Sequence, residues 1–258
     1  MFRSLFYFLA WRDILVRYKQ TTIGILWSII RPLITLLVMS FLGWLFESSI
    51  PAGTPRILLV ATATLPWTFF STAFTETANS LIANSNLLTK VYFPRIIIPI
   101  SAIIVCLLDF FISLLLLLGL MAIYHFSPTW HMFLFPLFLL LAIICAMGSG
   151  LYVAALNVKY RDFRYIVPFI VQIGLYISPI AFSSSDILNN ARIPEWLKMV
   201  YFVNPVVSII DGFRWSMLGG QIPIYWPGFL ISLTVSFALL ILGIRYFKKT
   251  ERGFADVI

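Results

Sequence analysis

The sequence predicts an all-α polytopic membrane protein, and three observations carry that reading. Of its 258 residues, 61% are hydrophobic and 11% charged, whereas a soluble domain carries about 45–50% apolar and about 25% charged residues. Mean hydropathy is +0.98, more apolar surface than a soluble fold of this size can hide. Disorder is excluded by the same figures, since it needs low hydrophobicity and high net charge. The apolar residues also fall into runs near the ~20 residues that cross a hydrocarbon core, with the charges gathered between them.

Six spans follow in order. Residues 24–46 are apolar except for Arg31. Residues 57–75 lie uncharged between Arg56 and Glu76 and open a second span over 57–79. The third, 96–124, holds one charge, Asp109. No charge occurs from 110 to 158, so the segment Tyr124-His125-Phe126-Ser127-Pro128 must break the run and start a fourth span at 132–156. Residues 165–182 and 225–247 complete the set. Six crossings leave both termini on one side. Fourteen of the 18 Lys and Arg residues fall on that side and four on the other, and cytoplasmic loops are the basic ones. Both termini are therefore expected in the cytoplasm. No internal repeat, low-complexity linker or cleavable signal pattern is visible.

Three segments are neither span nor simple loop. In residues 5–20, Tyr7, Trp11, Ile14, Leu15 and Tyr18 share one helical face, with Arg12, Asp13, Arg17, Lys19 and Gln20 opposite and Val16 out of pattern. This predicts an amphipathic interfacial helix, serving as an anchor or as a basic collar for an anionic lipid headgroup. In residues 84–94, Leu87, Leu88, Val91 and Tyr92 share a face before Pro94 stops the helix; such a face rests on lipid or docks into another protein. The long connection 183–224 is expected to hold two short helices, one opened by Pro194, the other capped by Asn204 before Pro205 and ended by Gly219-Gly220. The second is too short to span, the length of a re-entrant segment. These helices are expected to close the outer mouth of a pathway, with an inert surface cap as the other reading.

Chemistry-bearing groups are sparse. Asp109, Glu76 and Arg31 are ionisable residues inside spans, the usual candidates for function. For Asp109 the plain alternative is a carboxyl satisfied by neighbouring Ser or Thr, and Arg31 can snorkel to the headgroups. One carboxylate deep in the spans is too few for an ion-coupling relay. Trp27, Trp67, Phe69, Phe70 and Tyr176 lie near prolines or span ends, where aromatic rings can line a channel and slide along sugar rings; packing against lipid is the plainer role of each. Ala142, Ala146, Gly150 and Ala154 form a ladder of small residues, a helix-packing stripe. Cys106 and Cys145 lie in apolar runs, and His125 and His131 lack partners at metal-ligand spacing, so no disulfide, metal site or catalytic constellation is expected. No G-x-x-x-x-G-K-[ST] phosphate loop occurs, so ATP-driven work would need another chain.

Four segments together resemble the permease subunit of type-2 ABC transporters that export bacterial polysaccharides: RYKQTTIGILWSIIRPL at 17–33, LPWTFFSTAFTETANSLIANSNLLTKVYFPRIIIP at 65–99, LNVKYRDFRYIVPF at 156–169 and YFVNPVVSIIDGFRWSMLGG at 201–220. The likeness is greatest to O-antigen (lipopolysaccharide) exporters, with capsule and teichoic-acid exporters close behind. The resemblance implies a non-enzymatic transport subunit of the bacterial plasma (inner) membrane. It implies a homodimer with two copies of a cytoplasmic ATPase that binds ATP and Mg, moving a polyprenyl-pyrophosphate-linked glycan outward, with no role for nucleic acid. It makes 84–94 a coupling helix and 194–219 a pair of gate helices. ATPase coupling would fall on Asn86, Leu87, Leu88, Lys90 and Tyr92, with Lys159, Arg161 and Arg164 as a second cytoplasmic contact. The lipid pyrophosphate would meet Arg12, Arg17, Lys19 and Arg31. A type-2 ABC drug or antibiotic efflux permease is the other transport reading; it would show a compact apolar cavity in place of a continuous channel.

Overall fold

A computed structural model of the chain describes residues 2–19, 26–45, 53–90, 93–160 and 162–254, the side chains of 2–5, 18, 19, 26–28, 31, 89, 90 and 252 excepted. The described residues form helices and turns without a strand: α1 Phe2–Lys19, α2 Leu26–Leu45, α3 Arg56–Ala83, α4 Ser85–Lys90, α5 Ile97–Ile123, α6 Phe135–Lys159, α7 Phe163–Ile177, α8 Ser184–Leu188, α9 Glu195–Tyr201, α10 Pro205–Met217 and α11 Trp226–Thr250. A 3-10 turn, Trp130–Leu134, runs into α6.

Among the described residues, four helical segments are long and apolar enough to cross a membrane: Arg56–Ala83, Ile97–Ile123, Trp130–Lys159 and Trp226–Thr250. The apolar stretches Pro32–Leu45 and Phe163–Ile177 are shorter. The fifth expected span, 165–182, loses its last turn as helix. Ser178, which precedes Pro179, sits at ψ 148°, because a residue before proline is pushed out of the α region.

The bundle is organised on α3, which packs against α2, α5, α6, α7 and α10. In its most apolar stretch 72% of residues are buried, against 22% in α11, whose surface is left for lipid. A helix so enclosed has no water for its polar side chains. Thr62, Thr64, Thr68, Thr75 and Ser80 instead donate to carbonyls three or four residues back, at 2.7–2.9 Å, which keeps every one of these hydroxyls satisfied within its own helix. The main core lies between α3, α5, α6 and α10, with Phe110 edge-on to both Phe69 and Phe213.

The small-residue ladder on α6 is buried as a packing stripe requires: Ala142, Ala146 and Ala154 are at most 1% exposed, and Gly150 is buried with them. A Cβ on Gly150 would lie 2.6 Å from Thr77 of α3. On another face of α6, Gly148 meets Gly243 of α11 so closely that a Cβ on Gly243 would stand 2.2 Å from the Gly148 carbonyl oxygen. Backbone on both sides of this contact leaves nothing flexible to yield. Gly148→Ala and Gly243→Ala should therefore each force α6 and α11 apart and destabilise the bundle by about 1–3 kcal/mol, read as a lower unfolding midpoint of the purified protein; Gly119→Ala, where a Cβ meets nothing within 4 Å, should not.

Candidate functional site

At the end of the bundle that carries the amino terminus, α1 packs against α5. Leu9 packs in one cluster with Leu88, Phe93 and Ile98, near the start of α5. Eight residues on, the Arg17 guanidinium is 3.1 Å from the Asp109 carboxylate and 3.9 Å from Glu76. Asp109 is twelve residues into α5, about 18 Å along its axis at 1.5 Å per residue. The helix thus leans along α5 with its polar side turned inward, while Tyr7, Phe8 and Trp11 stay exposed. The cause is electrostatic: carboxylates placed inside spans need a cation, and α1 brings one. Asp109 is held by Arg17, where the sequence offered only Ser or Thr as partners.

This packing encloses an open cavity of about 470 Å³ between α1, α3 and α5. Arg12 and Asp13 line it and bond each other through Nε at 2.9 Å and Nη2 at 2.7 Å. Nη2 of Arg12 also donates to Asn84 Oδ1 at 2.6 Å, at the junction of α3 and α4. Two of the cations assigned to an anionic headgroup, Arg12 and Arg17, therefore hold carboxylates. Lys19 closes α1, and its side chain lies outside the described residues, as do those of Arg31 and Trp27.

Helix α4 is six residues long, shorter than the expected 84–94. Its apolar face is not wholly presented outward. Leu88 is 5% exposed in the chain's own cluster with Leu9, Leu81, Phe247 and Phe254, and Leu87 is part-buried beside it. Asn86 is exposed. The Lys90 side chain and all of Tyr92 and Arg161 lie outside the described residues. Lys159 ends α6 with its ammonium 5.0 Å from the Tyr160 ring centre, and Arg164, in the first turn of α7, is exposed. Asn157, whose role the sequence left unread, is buried and donates to the Ala78 carbonyl at 2.9 Å and to Asn79 at 3.1 Å, tying α6 to α3.

The channel-lining aromatics separate. Trp67 and Phe70 line an apolar cavity of about 410 Å³ with Phe169, Ile173 and Pro205. Phe69 is 3% exposed against Phe110 in the core. Tyr176 is 63% exposed on α7.

At the opposite end, the expected short helices form. Pro194 caps α9, and the Asn204 side chain accepts from the Val206 N–H at 3.1 Å to start α10. Gly219 and Gly220, at φ +65° and +81°, end the turn beyond it, a left-handed backbone that glycine adopts without strain. Helix α8 was not anticipated; its Ser183–Asp186 capping box was legible. Helix α10 is enclosed against α3 and α6. Its Arg214 has no exposed surface and donates to three carbonyls: Leu59 of α3 at 3.1 Å, and Phe182 and Ile180 beyond α7 at 2.9 Å each. One guanidinium so joins α10, α3 and the exit of α7. Asp211, one turn earlier, is also buried. Burial pushes its carboxyl up to about 6, against smaller opposing effects of the Ser184 hydroxyl and the Arg214 charge. Sequence reading counted Arg214 only as an outer-loop charge. The available signal was an Asp-x-x-Arg pair on a helix otherwise rich in Val, Ile and Phe.

Two outcomes follow. Replacing Arg214 by Leu strands three buried carbonyls, at about 1–3 kcal/mol each, and should lower the unfolding midpoint sharply, while Arg214→Lys, which keeps the charge and part of the bonding, should lower it less. For Asp211, a carboxyl raised in the folded state adds stability that is complete below its ordinary pKa and is lost as pH climbs through about 6. The wild-type midpoint should fall between pH 4.5 and 7 relative to Asp211→Asn; parallel profiles would contradict the buried carboxyl.

The chain's likeness to known proteins agrees with this architecture. Residues 4–218 match the family described as ABC-2 type transporter. An O-antigen export system permease protein RfbA of Myxococcus xanthus is 29% identical over 258 residues, 100% of this chain and 96% of the relative. Another RfbA, from Klebsiella pneumoniae, is 28% identical over 96% of this chain and 92% of the relative. The polysialic acid transport protein KpsM of Escherichia coli is 25% identical over 94% and 92%. With most of its length inside the family match and helices suited to the bilayer, the chain belongs to the ABC-2 type transporter family as a membrane-spanning permease.

Proposed function

We propose that the chain is the permease of an ATP-driven exporter that moves an O-antigen-like polysaccharide, carried on a polyprenyl-pyrophosphate lipid, out across the bacterial plasma membrane. The observation that carries this reading is the end-to-end likeness to chains named as O-antigen export permeases. In this reading α2 and α7 complete six crossings, both termini face the cytoplasm, and two copies of the chain form the channel. Two copies of a separate ATPase supply the force, since the sequence has no phosphate loop of its own. The ATPase docks at the basic end, on Asn86, Leu87, Lys90 and Tyr92 with Lys159, Arg161 and Arg164. Helices α9 and α10 gate the outer mouth, with Arg214 transmitting displacement of α3 and α7 to α10. The pyrophosphate is met by Lys19 and Arg31, because Arg12 and Arg17 already hold carboxylates in the resting chain.

One observation favours a second reading. The apolar cavity beside Trp67 and Phe70 is compact, as a drug or antibiotic efflux permease requires. Reconstitution with its cognate ATPase separates the two. Glycan export predicts Mg-ATP-dependent appearance of lipid-linked polysaccharide on the far side of the vesicle and no protection of cells from apolar antibiotics. Transport by the permease alone would overturn both readings.

The docking surface has its own test. Leu87→Asp should weaken capture of the ATPase about tenfold or more, as expected for a contact at the interface, and lower the unfolding midpoint of the permease less than Leu88→Asp does. Leu88→Asp should instead reduce the yield of folded permease, because that side chain is buried in the chain's own core.

A further inference from the structure

The cavity between α1, α3 and α5 has a charge arrangement that the pyrophosphate does not use. Its ionised groups are Arg12, Asp13, Arg17 and Glu76, with Asp109 behind Arg17. Counted together, they carry one negative charge in excess. The close pairs are Arg12 with Asp13 at 2.7 Å and Arg17 with Asp109 at 3.1 Å. Glu76 is left with Arg17 at 3.9 Å, and half of its side chain is exposed. Arg12 commits Nε and Nη2 to Asp13 and Asn84, and its Nη1 makes no hydrogen bond among the described residues. The cavity thus presents an under-paired carboxylate and an uncommitted guanidinium edge on the same wall system. A dianionic pyrophosphate would add charge of the sign already in excess. A bare metal ion would rattle in about 470 Å³.

We propose that this cavity holds the headgroup of a zwitterionic aminophospholipid, its ammonium on Glu76 and its phosphodiester on the free edge of Arg12. A primary ammonium gives Glu76 the charge-assisted hydrogen bond it lacks, and a phosphate oxygen does the same for Nη1. The cavity is open to the surroundings, and the other face of α1 exposes Tyr7 and Trp11, stacked at 6.4 Å and 4°. Tyr and Trp are the residues that favour the headgroup level, so the acyl chains can remain in the bilayer while the headgroup enters. A lipid seated here braces α1 against α3 next to Asn84, where α4 begins. This inference concerns a resident lipid and is independent of which cargo is exported.

The purified full-length permease in detergent tests it, with bound lipid counted by native mass spectrometry. Dioleoyl-phosphatidylethanolamine should bind about tenfold more tightly than dioleoyl-phosphatidylglycerol, the worth of one charge-assisted hydrogen bond. Glu76→Gln should erase that preference, and it should strengthen binding of geranylgeranyl pyrophosphate, which the Glu76 charge repels. The lipid comparison on the wild-type chain needs no variant and stands even if Glu76→Gln fails to fold. Equal binding of the two phospholipids, or a wild-type preference for geranylgeranyl pyrophosphate over both, would overturn the proposal. So would glycerophosphoethanolamine binding as tightly as the lipid, which would make the ligand a soluble one.

Discussion

At hydrocarbon depth a polar group must find its partner within the protein, and most of this chain's architecture follows from that constraint. Thr62, Thr64 and Thr68 of α3 meet it locally, by bonding back along their own helix. Asn157 meets it across helices, on the Ala78 carbonyl of α3. Arg214 meets it with the carbonyls beyond the exit of α7, where Pro179 interrupts the helical ladder. Asp109 meets it by drawing α1 up along α5. None of these is an ornament on a hydrophobic bundle. Each decides where an element that cannot be placed by greasy packing alone comes to rest.

The constraint also makes α3 a mechanical link between the two ends. Its outer turn offers the Leu59 carbonyl to Arg214, while its other end passes through Asn84 directly into α4. Asn84 is in turn bonded to Arg12 of α1. A displacement of α4 therefore has a short bonded route, through one rigid helix, to α10 and the exit of α7. The close contact of Gly148 with Gly243 adds a second feature: α6 and α11 meet backbone to backbone, while of α7 only Val167 is buried in the single chain.

Local packing and local charge divide the labour. The core around Phe69, Phe110 and Phe213 is aromatic and dense, and gives the bundle rigidity. The open spaces lie at its margins: an apolar one beside α7 and a charged one beneath α1. Both margins are where a second protein chain or a lipid can be accommodated without disturbing the core.

By itself the sequence determined the membrane class, the long helices, the caps at Asn204 and Gly219-Gly220 and the burial of the Ala142–Ala154 ladder. Each of these depends on composition, periodicity or a backbone preference that operates within a few residues. It also placed the amphipathic helix, the short helix after α3 and the helices before α11, again because their boundaries are local. Tertiary structure alone decided which side each of them turns. The polar face of α1 faces inward because carboxylates 59 and 92 residues further along the chain, Glu76 and Asp109, attract Arg17. Leu88 is buried because Leu9 and Phe254 pack with it in one cluster. Arg214 changes from a loop charge to the tie between three elements because its acceptors lie 32, 34 and 155 residues away. Periodicity reports that a face exists; only the long-range partners settle what meets it.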